Sequence, residues 1–229
     1  MKKFEFTGET KTLFDGTVLH RIKALVRIEF TWMAVEIGEL GGWIEKENNL
    51  SHDGNAWVYG DAEVYGDARV YDNARVYGNA RVYDNARIYG NAWVYGNAWV
   101  YGNAEVYGDA EVCDDARVYD NAWVCGDAEV CGNAEVYGNA WVYGNAEVFR
   151  TEHCLVMGPI GSRNAFTTFF RTKDRKIKVT CGCFFGTIDE FLAKVEQTHG
   201  NSKHAKVYRA AVEVALAQLE DAERRNNDA

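Results

Sequence analysis

Gly54-Asn55-Ala56-Trp57-Val58-Tyr59 opens a run of sixteen consecutive six-residue units that continues without insertion to Gly144-Asn145-Ala146-Glu147-Val148-Phe149. Alanine holds the third place of every unit and Val or Ile the fifth, while the fourth place is Trp, Glu or Arg and the sixth is Tyr, Cys or Phe. An α-helix needs apolar recurrence near 3.6, and a plain amphipathic strand cannot run on for so long, so each unit reads as a short strand plus a corner. The leading Gly or Asp, followed by Asn or Asp, fits that corner because these residues tolerate the left-handed backbone region. Alanine fits the cramped space just inside it.

Such a period resembles the left-handed β-helix of hexapeptide-repeat proteins, in which an aliphatic residue points into a prism, a small residue lies two places earlier and three units close one triangular coil. The resemblance implies a mainly β fold, with residues eighteen apart stacked on one face. With strands about 4.8 Å apart, sixteen units make a rod of roughly 25 Å. The sequence departs from the acyltransferases of that group after the aliphatic place, where Tyr, Cys or Phe stands instead of a small or acidic residue. It also lacks their surface histidine and extruded loop, since His20, His52, His153, His199 and His204 all lie outside 54–149.

Eighteen-residue stacking sorts the outward side chains into three faces. The first carries Tyr65, Tyr83, Tyr101, Tyr119 and Tyr137 beside Glu63, Arg81, Trp99, Arg117 and Glu135. Trp99 between Arg81 and Arg117 reads as a cation–π sandwich. The second stacks Tyr71, Tyr89, Tyr107, Cys125 and Tyr143 beside Arg69, Arg87, Glu105, Trp123 and Trp141, and its two tryptophans should stack. The third carries Tyr59, Tyr77, Tyr95, Cys113, Cys131 and Phe149 with Trp57, Arg75, Trp93, Glu111, Glu129 and Glu147. Three glutamates in one column repel, and Asp109 and Asp127 at the neighbouring corner add to it, so solvent, a cation or a basic partner has to offset the charge.

Residues 1–53 read as a β-rich N-terminal cap, with strand-like runs at 3–7 and 17–26 and two irregular units centred on Ile44 and Leu50. Gly41-Gly42-Trp43-Ile44-Glu45, Asn48-Asn49-Leu50-Ser51 and the first regular unit are similar to the lead-in of the YdcK-type hexapeptide-repeat proteins, a group associated with acetyltransferases without an established activity. Residues 150–229 read as a small α+β module. A hairpin is expected from 166–171 and 176–181, and Gly158–Asn164 is read as a connecting loop. Thr187-Ile188-Asp189-Glu190 has the pattern of a capping box opening one helix, a second is expected at 202–223, and the end from Arg224 should fray. The Gly158–Asn164 stretch and Cys181-Gly182-Cys183-Phe184 resemble a C-terminal module of phage and prophage proteins, which implies a bacterial, phage-associated setting.

The 229 residues include 34 acidic and 25 basic side chains, a formal charge of −9, so direct nucleic-acid binding is not expected. No apolar run is long enough to span a bilayer, and Lys2-Lys3-Phe4-Glu5 does not lead into a signal sequence, which points to the cytoplasm. In that compartment the six cysteines read as thiols rather than disulfides, although Cys113 and Cys131 stack closely enough to oxidise. His153, Cys154, Cys181 and Cys183 make a weak zinc pattern, and His52 and His153 read as surface histidines. No metal site and no cofactor is assigned.

These features describe a non-enzymatic binding or scaffold protein that presents its tyrosine ladders and an acidic strip (Asp109, Glu111, Asp127, Glu129, Glu147) to a protein partner and to its own copies. The expected contact surface is Tyr65, Tyr83, Tyr101, Tyr119 and Tyr137 with Trp99, Arg81 and Arg117. Two other readings are an acidic rod that imitates DNA against a DNA-binding or defence protein, and a hexapeptide-repeat acyltransferase.

Overall fold

In the computed structural model, which describes residues 1–31 and 33–224, every six-residue unit contributes one two-residue strand at its fourth and fifth places. These strands stack in parallel at eighteen-residue spacing: Arg81 lies opposite Glu63 and Trp99, Arg87 opposite Arg69 and Glu105, and Trp93 opposite Arg75 and Glu111. Three sheets result, one per face, closing a triangular β-solenoid of about six coils. All sixteen third-place alanines and all sixteen fifth-place Val or Ile side chains are buried, forming one continuous core.

The corner takes its shape from the first residue of each unit. Gly78, Gly90 and Gly96 have φ near 70°, and where Asp replaces Gly, as at Asp72, Asp84, Asp114 and Asp120, φ stays near 60°. Each of those aspartates also accepts the amide proton of the glycine one coil on, Gly90, Gly102, Gly132 and Gly138 respectively, at 3.1–3.2 Å. That bond offsets the cost of a side chain in the left-handed region. Side-chain amides at the second place form a parallel ladder, Asn73 to Asn91 to Asp109 and Asn79 to Asn97 to Asp115.

The backbone ladder is polar along the rod. Each coil donates its N–H groups to the carbonyls of the next, as Trp99 does to Ala116 at 2.9 Å and Tyr101 to Val118 at 3.0 Å. The N-terminal edge is therefore left with free carbonyls and the C-terminal edge with free N–H groups. The two caps answer in kind. At the N-terminal edge the ammonium of Lys3 donates to the carbonyls of Gly54 and Ala56, and the amide of Asn49 donates to those of Gly66 and Ala68. At the other edge acceptors take over: Thr168 Oγ1 receives Trp141 N–H, Thr151 Oγ1 receives Glu135 N–H, and His153 Nδ1 receives Phe149 N–H.

The N-terminal cap extends the first sheet. Phe4–Thr12 and Val18–Ala24 form an antiparallel pair, Val18–Ala24 pairs with Leu40–Ile44, and Leu40–Ile44 pairs in parallel with the first regular coil through Trp43 and Glu63. Ile44 and Leu50 occupy core positions, Leu50 bridging to Val70. Gly41 and Gly42 are required there: a Cβ on Gly42 would lie 2.7 Å from Ala62 O, and one on Gly41 2.6 Å from Ile22. The cap also buries Trp57 and Glu63, which the repeat pattern alone places outward, because Phe4 packs on Trp57 and Lys11 reaches Glu63 at 2.5 Å.

The C-terminal module is a four-stranded antiparallel sheet, Cys154–Ile160, Ala165–Arg171, Ile177–Cys181 and Phe184–Thr187, backed by α1 (Ile188–His199) and α2 (Lys203–Arg224). The expected hairpin is its middle pair. Two outer strands were not expected, and Gly158 to Ile160 belongs to the first of them rather than to a loop. The capping box forms: Glu190 N–H donates to Thr187 Oγ1, and Thr187 N–H donates to the Glu190 carboxylate. Arg224 closes α2, and the expected fraying beyond it concerns residues outside the described ones. Phe170 inserts into the core of the rod, and Lys173 N–H bonds to Asn145 O.

Candidate functional site

On the first face the aromatic column forms as its spacing dictates. Tyr65, Tyr83, Tyr101, Tyr119 and Tyr137 stack with centroids 4.9–5.2 Å apart and nearly parallel planes. Arg81 and Arg117 lie 5.3 Å from the Trp99 ring on its two sides, and each pairs with a carboxylate, Glu63 at 3.1 Å and Glu135 at 3.5 Å. The inner rungs are half-buried by each other, whereas Tyr137, the last one, is exposed. Burial raises the phenol pKa values of Tyr65, Tyr83, Tyr101 and Tyr119, those of Tyr65 and Tyr119 to about 12.

The acidic strip has an internal counter-ion. Lys173, on the module's turn between Ala165–Arg171 and Ile177–Cys181, reaches Glu129 at 2.5 Å, and Glu111 and Asp127 also raise its pKa. Glu111 accepts a hydrogen bond from Tyr95 OH at 3.0 Å and Asp109 one from Asn91 at 2.9 Å, while Glu147 closes the column opposite Glu129. The strip is thus partly neutralised from within.

Between the acidic column and the corner lies a correction. Cys113 and Cys131 are joined as a disulfide, with Cα atoms 4.6 Å apart. Rungs one coil apart fall inside the span a disulfide bridges, so stacking of two cysteines at the sixth place is by itself sufficient. Asp114 lies beside the two sulfurs, but sulfurs joined in a disulfide offer no thiolate to a metal; Cys154, Cys181 and Cys183 are thiols and, among the described residues, do not gather with His153. Of the two histidines expected at the surface, His52 is partly exposed and His153 is not. His153 is buried, and burial together with Arg171 and Arg150 lowers its pKa; His52 stacks on Phe4 and accepts Lys3 N–H at Nδ1.

A cluster of exposed aromatic side chains lies where the second face meets the module. Trp123 and Trp141 stack at 5.0 Å with planes 9° apart, and Tyr143 sits 4.2 Å from Phe185 of the last module strand. Trp141, Tyr143, Phe166 and Phe185 are all more than a third exposed. Trp141 divides two grooves: one of about 410 Å³, lined by Tyr107, Trp123, Tyr143, Phe184 and Phe185, and one of about 190 Å³ against Phe166 and Thr168. Sequence reading placed the two tryptophans correctly but not Phe166 and Phe185, because only the folding of the module back onto the last coils brings them there.

A rod of stacked six-residue units, closed at both ends by separate caps, defines a β-solenoid with exposed aromatic side chains at its C-terminal end. Residues 62–78, 68–84, 74–87, 80–96, 86–102 and 110–126 match the YdcK β-solenoid repeat, so the rod is a YdcK-like solenoid. No curated protein matches the chain. Among the described residues no helix is long and apolar enough to cross a membrane.

Proposed function

We propose that the chain is a non-enzymatic binding rod whose distal aromatic surface docks a protein partner. The observation that carries the reading is the exposed group Trp141, Tyr143, Phe166 and Phe185, gathered where the last coils meet the module. Contiguous exposed aromatics of this kind are costly in water and concentrate binding energy at interfaces. The tyrosine column of the first face continues the display to Tyr137, but its inner rungs mainly clamp one coil to the next. Acyltransfer is the weaker reading, because the rod's coils carry no histidine and His52 and His153 are engaged in the caps.

The test is capture by the full-length protein against a Trp141→Ser/Tyr143→Ser/Phe185→Ser variant of unchanged circular dichroism. A stoichiometric partner held by the parent and released by the variant supports the reading; equal capture by both removes this surface. Calorimetry with acetyl-coenzyme A decides the enzyme alternative, since saturable binding there overturns a purely scaffolding role.

A further inference from the structure

Five arginines project from the rod, and three of them are accounted for. Arg81 and Arg117 each touch Trp99 and a glutamate, and Arg75 lies between the Phe30 and Trp93 rings at 4.0 and 4.8 Å. Arg69 and Arg87 differ. They are opposite one another on adjacent coils of the second face, both exposed, and like charges in that register repel. Arg69 has no ion pair among the described residues, and Arg87 has only a 3.5 Å contact with Glu105, whose other oxygen accepts the Tyr89 hydroxyl at 2.8 Å.

The two guanidinium groups border a cavity of about 650 Å³ at the N-terminal end of that face. It exists because the second sheet begins at Arg69, with only the single bridge from Leu50 above it. Leu50 and Val70 supply an apolar floor, Tyr71 an aromatic wall, and Ser51 and Asn48 polar groups at the rim. Glu47 and His52 also line the cavity, Glu47 paired with Lys2 at 2.6 Å, and the carboxylate of Asp67 is paired with Lys46 at 2.7 Å.

We propose that this shelf binds a small phosphate monoester, its phosphate bridging Arg69 and Arg87 and its planar remainder lying along Tyr71. Paired guanidinium forks suit a dianion in geometry and charge, and the volume exceeds what a bare phosphate fills. The site is at the opposite end of the second face from the aromatic grooves, so it is independent of the proposed docking surface.

Calorimetry on the full chain at low salt, with adenosine monophosphate and inorganic phosphate as probes, tests it. Saturable binding of the nucleotide is expected, weakened about tenfold by each of Arg69→Gln and Arg87→Gln and unchanged by Lys194→Gln on the exposed side of α1. In anion-free buffer Arg69→Gln should melt no lower than the parent, because it relieves the repulsion, and added nucleotide should raise the melting temperature of the parent more than that of either arginine variant. No saturable heat in the parent, or binding indifferent to both substitutions, overturns the site. Inorganic phosphate binding as tightly as the nucleotide overturns the ester and leaves a simple anion site.

Discussion

At the scale of single residues, the corner alanine is the least negotiable choice in the chain. Ala110 is fully buried in the core of the rod beside the turn that starts at Gly108. Ala110→Leu should destabilise the rod by about 1–3 kcal/mol or more, since overfilling a packed interior forces backbone movement. Thermal melting followed by circular dichroism measures this, and a variant that melts like the parent would mean that the third place has spare volume. Alanine in all sixteen units made this constraint legible from sequence. The fate of individual outward residues was not, because Trp57 and Glu63 obey the same pattern as their neighbours and are buried only by the N-terminal strands that fold over them.

At the scale of elements, the repeat declares strand, corner and stacking register, and every vertical pair read at eighteen-residue spacing is found in the three sheets. The caps were less legible, since an antiparallel strand that pairs once has no period to announce it. The outer strands Cys154–Ile160 and Phe184–Thr187 belong to that class. So does the chemistry of closure, in which donors cover the carbonyl edge and acceptors cover the amide edge. His153 belongs to the second kind, and it must be neutral at Nδ1 to accept Phe149 N–H. Its folded pKa lies below the usual value, so the unfolded chain binds the proton first and this closure is lost as pH falls through and below about 6.5. Unfolding free energy of the parent should decline over that window more steeply than that of His153→Gln; parallel curves would remove His153 as the source. The Cys113–Cys131 link gives a second prediction for the same element. It closes an eighteen-residue separation, so a Cys113→Ser/Cys131→Ser variant, or the parent under reductant, should lose up to about 3 kcal/mol on the chain-entropy account. Identical melting with and without reductant would show that stacking alone holds these coils.

For the whole molecule, the charge distribution and the aromatic columns act on stability in opposite directions at high pH. Between 54 and 149 there are fifteen acidic and five basic side chains, while 150–229 has thirteen basic and ten acidic, and Lys173 is the point where the module's excess meets the rod's. The alkaline response depends on two buried classes of group. Lys3 is plugged into the carbonyl edge and burial lowers its pKa to about 8, so from there to about 10.5 the unfolded chain holds more protons and stability rises with pH. The stacked tyrosines behave the other way. Burial raises their pKa values, Tyr65 and Tyr119 to about 12 and Tyr83, Tyr89 and Tyr95 higher still, so above about 10 the unfolded chain ionises first and stability falls. The rod should therefore hold or gain stability to about pH 10 and then lose it steeply and cooperatively, with phenolate absorbance appearing together with loss of the β-sheet signal. Replacing Tyr83, Tyr101 and Tyr119 by Phe should keep the stacking but move that alkaline midpoint upward, because three of the ionising groups are gone. Phenolate absorbance that rises smoothly near pH 10 while the sheet signal persists would show that the columns are open to water, and the clamp assigned to them would then fail.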